Sequence, residues 1–131
     1  MGNLSAEWKG KTGAGSLSGA ELRIMDIVWQ ENGTSARNVA ANLSERYGYS
    51  ASATYTLINR CIKKGTLERV EPGYFCRPLV SREDAQDAQT DSLLDRLYDN
   101  DPVELFRALV NRGKLTAGQL AELKRVVDAA E

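Results

Sequence analysis

The sequence predicts a mainly α fold that carries one small β-hairpin, followed by a helical extension. Three observations predict it. Three amphipathic helices, the first two with cap signals, follow one another between Ser18 and Lys64. The apolar period then changes from helical to strand-like between Thr66 and Arg77, around the turn residues Glu71-Pro72-Gly73. Beyond Pro78, further amphipathic stretches each begin with a cap signal of their own. Three helices and then a hairpin is the winged helix-turn-helix order, and the short link between the second and third helices is the one that motif needs.

The elements follow in order. Met1 to Ser16 is rich in Gly, Ser and Lys and has no apolar period, so a flexible arm or leader is expected over 1–16. Ser18-Gly19-Ala20-Glu21 is a capping box: the serine oxygen takes a free backbone N–H and the glutamate reaches back. Leu22, Met25, Val28 and Trp29 follow at helical spacing, and Asn32-Gly33 stops the helix. Ser35 caps a second helix whose apolar face is Val39, Ala40, Leu43 and Tyr47, ending at Gly48. The third helix is predicted from about Ser52 to Lys64. Thr54, Leu57, Ile58, Cys61 and Ile62 form its inner face. Ser52, Ala53, Tyr55, Thr56, Asn59, Arg60 and Lys63 form its outer face. Thr66–Val70 and Tyr74–Arg77 are the two hairpin strands, and Pro78 is expected to break the sheet.

Ser81-Arg82-Glu83-Asp84 caps a helix to about Tyr98. Asp101-Pro102 places an N-cap before a proline at the first helical position. Thr116-Ala117-Gly118-Gln119 is a further capping box. Leu94, Leu97, Leu105, Phe106, Leu109, Leu120, Leu123, Val126 and Val127 stripe these three helices. Each is worth ~1.5–3 kcal/mol when fully buried. Leaving half of them exposed costs on the order of 10 kcal/mol, comparable to a domain's whole stability. Packing against a second copy is the economical solution. The domains expected are therefore the arm, a winged-helix domain over 17–80, and a three-helix dimerisation region over 81–131.

Composition excludes several functions. The chain has 131 residues, 42% hydrophobic and 27% charged, which is globular. No apolar run approaches the ~20 residues of a membrane span, and the first sixteen lack a signal-peptide core. A cytoplasmic location without membrane insertion is expected. There is no histidine, which removes Ser-His-Asp and Cys-His chemistry and His-containing zinc sites. There is no phosphate loop either, so no enzymatic activity, cofactor or metal is expected. Cys61 and Cys76 lack metal-motif spacing and read as small core hydrophobes. A redox switch would need an exposed thiolate. The aspartates Asp87, Asp91, Asp95 and Asp99 recur every fourth residue and read as a solvated stripe. The net charge of −1 is unevenly spread: eight basic and six acidic side chains over 17–80, seven and eleven over 81–131. Only the N-terminal two-thirds suits a polyanion.

Several stretches, taken in their order and spacing, resemble the BlaI/MecI/CopY family of bacterial penicillinase repressors. They are Leu17-Ser18-Gly19-Ala20-Glu21-Leu22 with Trp29, Thr56-Leu57-Ile58-Asn59-Arg60 with Lys63-Lys64-Gly65, Arg77-Pro78-Leu79-Val80-Ser81-Arg82-Glu83, and Leu93-Leu94-Asp95-Arg96-Leu97-Tyr98. The resemblance spans about Leu17 to Val127. It implies a homodimeric winged-helix repressor that binds a pseudo-palindromic operator in double-stranded DNA, in relatives often controlling β-lactam-resistance genes. In some members a membrane sensor-protease triggers cleavage at an Asn-Phe bond. That bond would align near Ala108-Leu109, which does not match. Copper-responsive members carry a C-x-C pair near the C-terminus, and no cysteine follows Cys76 here.

On this resemblance the third helix enters the major groove. Asn59 suits a bidentate contact to adenine, and Arg60 or Lys63 a guanine or a phosphate. Arg60 equally suits a salt bridge to the first or second helix. Small and polar side chains such as Ala53 allow close approach, Ser52 and Thr56 suit bonds to bases or phosphate oxygens, and Tyr55 suits a sugar edge or a thymine methyl. Ser35 and Arg37, at the start of the second helix, suit a phosphate. Arg69 and Arg77 on the hairpin suit the backbone or minor groove. Two other readings remain: an effector-binding regulator of the MarR type, and a winged-helix protein-interaction module. The charge-poor hairpin, where Glu68 and Glu71 offset Arg69 and Arg77, supports the latter.

Overall fold

The computed structural model describes residues 13–130. The elements are α1 (Gly19–Gln30), β1 (Thr34–Ser35), α2 (Ala36–Tyr47), α3 (Ala51–Lys63), β2 (Leu67–Val70), β3 (Phe75–Pro78), α4 (Arg82–Leu97), α5 (Pro102–Asn111) and α6 (Ala117–Ala129). A mainly helical fold with a small antiparallel sheet is thus observed. The chain divides into two compact units, the first ending at Ser92 and the second beginning at Leu93.

In the first unit α1, α2 and α3 close around one core. Ile24, Met25, Ile27 and Val28 of α1 meet Val39 and Leu43 of α2, and Leu57, Ile58 and Cys61 of α3. Leu67, Cys76 and Val80 extend that core under the hairpin. The predicted caps form: Ser18 and Glu21 make a reciprocal box, and Ser35 accepts from the Asn38 N–H. The third helix begins one residue earlier than predicted, because Ser50 is its cap and accepts from the Ala53 N–H. Tyr47 departs from its expected core position and is 46% exposed. It lies at the last turn of α2, where the Arg23 guanidinium stacks 3.9 Å from its ring centroid.

The sheet has three strands in the order β1-β3-β2. β1 is an addition that sequence period could not reveal, since two residues show no alternation. Thr34 pairs with Cys76 and Ser35 with Phe75. Pro78 does not break the sheet as expected. It closes β3 opposite Leu67, beyond the reach of β1, so its missing N–H faces no partner strand. Gly33, at φ +93°, passes so close to Phe75 that a Cβ would lie 2.8 Å from the ring.

Two segments extend the first unit past its expected boundaries. Residues 1–12 of the expected arm lie outside the described residues, but Gly13–Ser16 is packed. Ala14 is fully buried, and the Gly13 N–H donates to the Lys64 carbonyl at 2.6 Å. A Cβ on Gly13 would lie 2.7 Å from that of Lys64, so this approach requires glycine. At the other end, the unit continues beyond 80 because Ala85 and Ala88 of α4 are buried. Gln89 also donates to the carbonyls of Ala14 (2.8 Å) and Leu17 (3.2 Å). The entry to α4 is fixed by Trp29 Nε1 donating to the Val80 carbonyl and by an Arg82–Asp26 ion pair, both near 2.8–2.9 Å.

In the second unit, Asp101 caps α5 and a Thr116–Gln119 box starts α6, as predicted. Neither helix has a buried residue. Of the expected stripe, Leu97, Phe106, Leu109, Val126 and Val127 are exposed, and Leu94, Leu105, Leu120 and Leu123 are half-buried.

The carboxylate of Glu21 is 3% exposed yet charged. Burial alone would raise its pKa. The Lys64 ammonium at 2.6 Å, the Ser18 N–H at 2.8 Å and the Ser18 hydroxyl together outweigh burial and hold it below the ordinary 4.5. A folded-state value below the unfolded one stabilises above that unfolded value, and the gain disappears as pH falls through the folded value. Glu21→Gln is therefore expected to cost about 2 kcal/mol at neutral pH. The gap to wild type should close as pH falls below the ordinary carboxylate range, measured by urea denaturation across pH. Thr54 Oγ1, in contrast, is buried with no hydrogen-bond partner. Thr54→Val keeps the shape and removes that oxygen, so the urea midpoint is expected to rise by the equivalent of about 1 kcal/mol at unchanged slope.

Candidate nucleic-acid interface

The face of α3 opposite the core is polar because the helix has one apolar stripe and no second partner. Thr54, Leu57, Ile58 and Cys61 are buried, while Ser52, Ala53, Thr56, Asn59, Arg60 and Lys63 are exposed. Tyr55 is half-buried, packed edge-on against Tyr74 with ring centroids 5.6 Å apart. The Thr56 hydroxyl donates to the Ser52 carbonyl at 3.1 Å, which occupies its proton within the helix. Arg60 forms no salt bridge to α1 or α2 among the described residues. Lys63 and Arg37 likewise have no ion-pair partner there, in contrast to Lys64, Arg69, Arg77 and Arg82. Unpaired cations thus lie on α3 and at the start of α2.

The three remaining expected positions are more committed. Ser35 is half-buried, sits in β1 and spends its hydroxyl as the α2 cap. Arg69 and Arg77 are exposed on the hairpin, but each is neutralised. Arg77 Nε donates to Glu68 Oε2 at 2.8 Å across the β2–β3 pair. Arg69 is ion-paired with Glu71 and its guanidinium stacks 3.8 Å from the Tyr74 ring centroid. The Arg69 guanidinium and the Tyr74 N–H hold the Glu71 carboxyl below the usual carboxylate range, so this pair stays charged and closed at neutral pH.

Tyr74 is the residue that sequence reading missed. It lies at the hairpin turn with φ +49°, a conformation uncommon for a bulky residue. Its N–H donates to Glu71 Oε1 at 3.2 Å, and its carbonyl accepts from the Ala36 N–H at 2.9 Å. Its hydroxyl donates to Asn59 Oδ1 at 3.3 Å. Turn, α2 and α3 therefore meet at one residue. Nothing local in the sequence marks this, because Asn59 and Tyr74 come together only when the hairpin folds back on the helix.

Other chemistry is not assembled here. Burial pushes the Cys61 thiol up to about 12 and the Cys76 thiol up to about 11, so both are protonated core groups at neutral pH. Among the described residues no cluster of Cys, Asp or Glu could hold a metal ion, and no helix is long and apolar enough to cross a membrane. The aspartate stripe is exposed at Asp87, Asp91, Asp95 and Asp99.

Comparison with known proteins bears on the whole of this arrangement. The chain is 24% identical over 114 residues to the penicillinase repressor of Bacillus licheniformis, covering 86% of this chain and 89% of that one. It is 24% identical to the methicillin resistance regulatory protein MecI of Staphylococcus aureus, covering 86% and 93%. The solution structure of the DNA-binding domain of the repressor BlaI matches at 29% identity with a TM-score of 0.48, covering 51% of this chain and 84% of that domain. The model of the family described as Penicillinase repressor matches residues 17–129, a span that runs through both compact units. This chain belongs to the penicillinase repressor family.

Proposed function

We propose that this protein is a homodimeric transcriptional repressor that binds a pseudo-palindromic DNA operator, with α3 as the helix that enters the major groove. One observation carries the reading. The exposed face of α3 presents Asn59, Arg60 and Lys63, and neither cation is consumed by an internal ion pair among the described residues. Small neighbours Ser52 and Ala53 permit the close approach that base contact needs. Relatives named as a penicillinase repressor and as a methicillin resistance regulatory protein support control of β-lactam-resistance-type genes, from within the cytoplasm. The protein acts by occupying DNA, so no catalysis and no cofactor enter the mechanism.

The distribution of paired and unpaired cations divides the work. Arg37, Arg60 and Lys63 supply phosphate and base contacts. Arg69 and Arg77 do not, since breaking each from its carboxylate would offset the gain. Three cations per protomer give about six phosphate contacts in a dimer, and a log–log salt slope of about −5.

Dimerisation is assigned to the second unit. Val103, Phe106, Val110, Val126 and Val127 are each 40–58% exposed. A groove of about 360 Å³ lined by Phe106, Leu120, Leu123 and Val127 lies among them. Exposed apolar side chains beside such a groove mark an interface.

The upstream region of the gene supplies the first duplex, with a scrambled duplex as control. Fluorescence anisotropy at two salt concentrations is expected to show tight, salt-sensitive binding to the first. Asn59→Ala and Arg60→Ala should each weaken it by about tenfold. Arg69→Ala and Arg77→Ala should leave the salt slope unchanged. Equal weak binding to both duplexes, unaffected by these changes, would favour the protein-interaction reading that the neutralised hairpin supports. For the dimer, Phe106→Asp with Leu123→Asp is expected to halve the mass seen by light scattering. Helical content should be retained in circular dichroism, and operator affinity should fall at least 100-fold.

A further inference from the structure

We propose that Tyr74 is a positioning residue for base recognition: by holding the carboxamide oxygen of Asn59, it leaves the amide nitrogen as the group Asn59 offers to a base. The hairpin then sets a base preference of α3 without contacting that base. The inference rests on the DNA-reading role proposed for α3, and goes beyond it by naming what orients one of its side chains.

An asparagine amide has two chemically opposite ends. Its oxygen only accepts and its nitrogen only donates. Left free on a helix surface, it turns over and offers either. Here Tyr74 Oη donates to Oδ1 at 3.3 Å, and Nδ2 has no hydrogen-bond partner among the described residues. The reverse arrangement would leave the phenolic proton without an acceptor among the described residues. A phenol also donates better than it accepts, because its lone pair is delocalised into the ring. Burial pushes the Tyr74 phenol above its ordinary value of 10, so the proton is always present.

The hydroxyl itself is held in place. Arg69 covers one face of the ring at 3.8 Å, Tyr55 meets it edge-on at 5.6 Å, and Glu71 takes both the Arg69 charge and the Tyr74 N–H. The Ala36 N–H fixes the Tyr74 carbonyl at 2.9 Å. This also accounts for the internal pairing of the hairpin arginine. Arg69 is used to seat Tyr74.

The consequence is a rule at one base position in each half-site. Purine N7, guanine O6 and thymine O4 accept a hydrogen bond in the major groove, whereas cytosine N4 donates. An asparagine that offers N–H therefore discriminates against cytosine. Adenine is still tolerated because its N7 accepts from Nδ2, whereas cytosine has no major-groove acceptor for it.

Selection from a randomised duplex pool, followed by titration of single-base variants, tests the idea. The relevant position is the one whose preference Asn59→Ala abolishes. Wild type is expected to bind the cytosine variant there about fivefold more weakly. Tyr74→Phe should reduce that to less than twofold, leaving preferences elsewhere and the salt slope unchanged. Adding Asn59→Ala to it should change the cytosine ratio no further. Retained discrimination in Tyr74→Phe would overturn the proposal. So would an even loss across many positions, which is the mark of a merely structural role, or wild-type preferences throughout in Asn59→Ala. Failure of wild type to select any sequence would instead sink the DNA-reading proposal. The tyrosine–asparagine pairing is then decided in the free protein by NMR. Tyr74→Phe should shift the Asn59 side-chain amide resonances and broaden them by rotation, and unchanged resonances would refute it.

Discussion

One buried carboxylate fixes where α3 ends. Glu21 accepts the Ser18 N–H to start α1 and accepts from Lys64 Nζ, which follows the last turn of α3. The same ammonium donates to the Ser16 carbonyl at 2.8 Å, and the Lys64 carbonyl accepts from Gly13. The Cys61 thiol approaches the Glu21 carbonyl at 3.7 Å. A charge this deep is costly unless every partner is present. The cost makes the arrangement selective: sliding α3 along α1 by one turn would strand the carboxylate. The apolar core by itself gives no such register, since Leu, Ile and Val pack acceptably in several offsets. The exposed face of α3 inherits its position from this one ion pair.

The hairpin completes the same task from the other side. β1 joins the start of α2 to β3, and Tyr74 joins the turn to Asn59. Winged-helix hairpins that bind phosphates must hold free cations. This one spends its cations on its own carboxylates and on the Tyr74 ring. Exposed pairs of this kind add little stability individually. Their effect here is to remove charge from the hairpin and to make it a support for α3. Within the winged-helix unit, Arg37 of α2 and Arg60 and Lys63 of α3 are left without such pairing among the described residues.

What was legible in the sequence was local. Caps at Ser18, Ser35, Asp101 and Thr116 announce themselves because donor and acceptor lie three residues apart or fewer. The inner face of α3 was legible through its period, as was the protonated, buried state of Cys61 and Cys76 through residue type. What escaped depends on partners far along the chain: Glu21 with Lys64, Gly13 with Lys64, Gln89 with Ala14, Tyr74 with Asn59. Two-residue β1 has no period at all, and Pro78 was misjudged because its strand neighbours were unknown. Tyr47 shows the limit of period itself. An aromatic ring at the right spacing but past the core's edge finds a guanidinium instead of apolar neighbours.

On the proposed reading, the two units depend on one another through arithmetic that neither carries alone. Three free cations and one oriented asparagine make a weak reader. A protomer with about three phosphate contacts binds duplex only feebly at physiological salt, because each contact's gain is the release of one counterion. Joining two protomers turns the second half-site into an intramolecular event at millimolar effective concentration, which raises avidity by orders of magnitude without any new contact. On the proposed reading, the unburied stripes of α5 and α6 are what the sparse charge on α3 requires. A more basic hairpin would make a single protomer bind any DNA more tightly, and would do so without regard to sequence. A neutral hairpin that orients a base-reading side chain, coupled to a dimer that supplies affinity, places more of the binding energy where bases can be told apart.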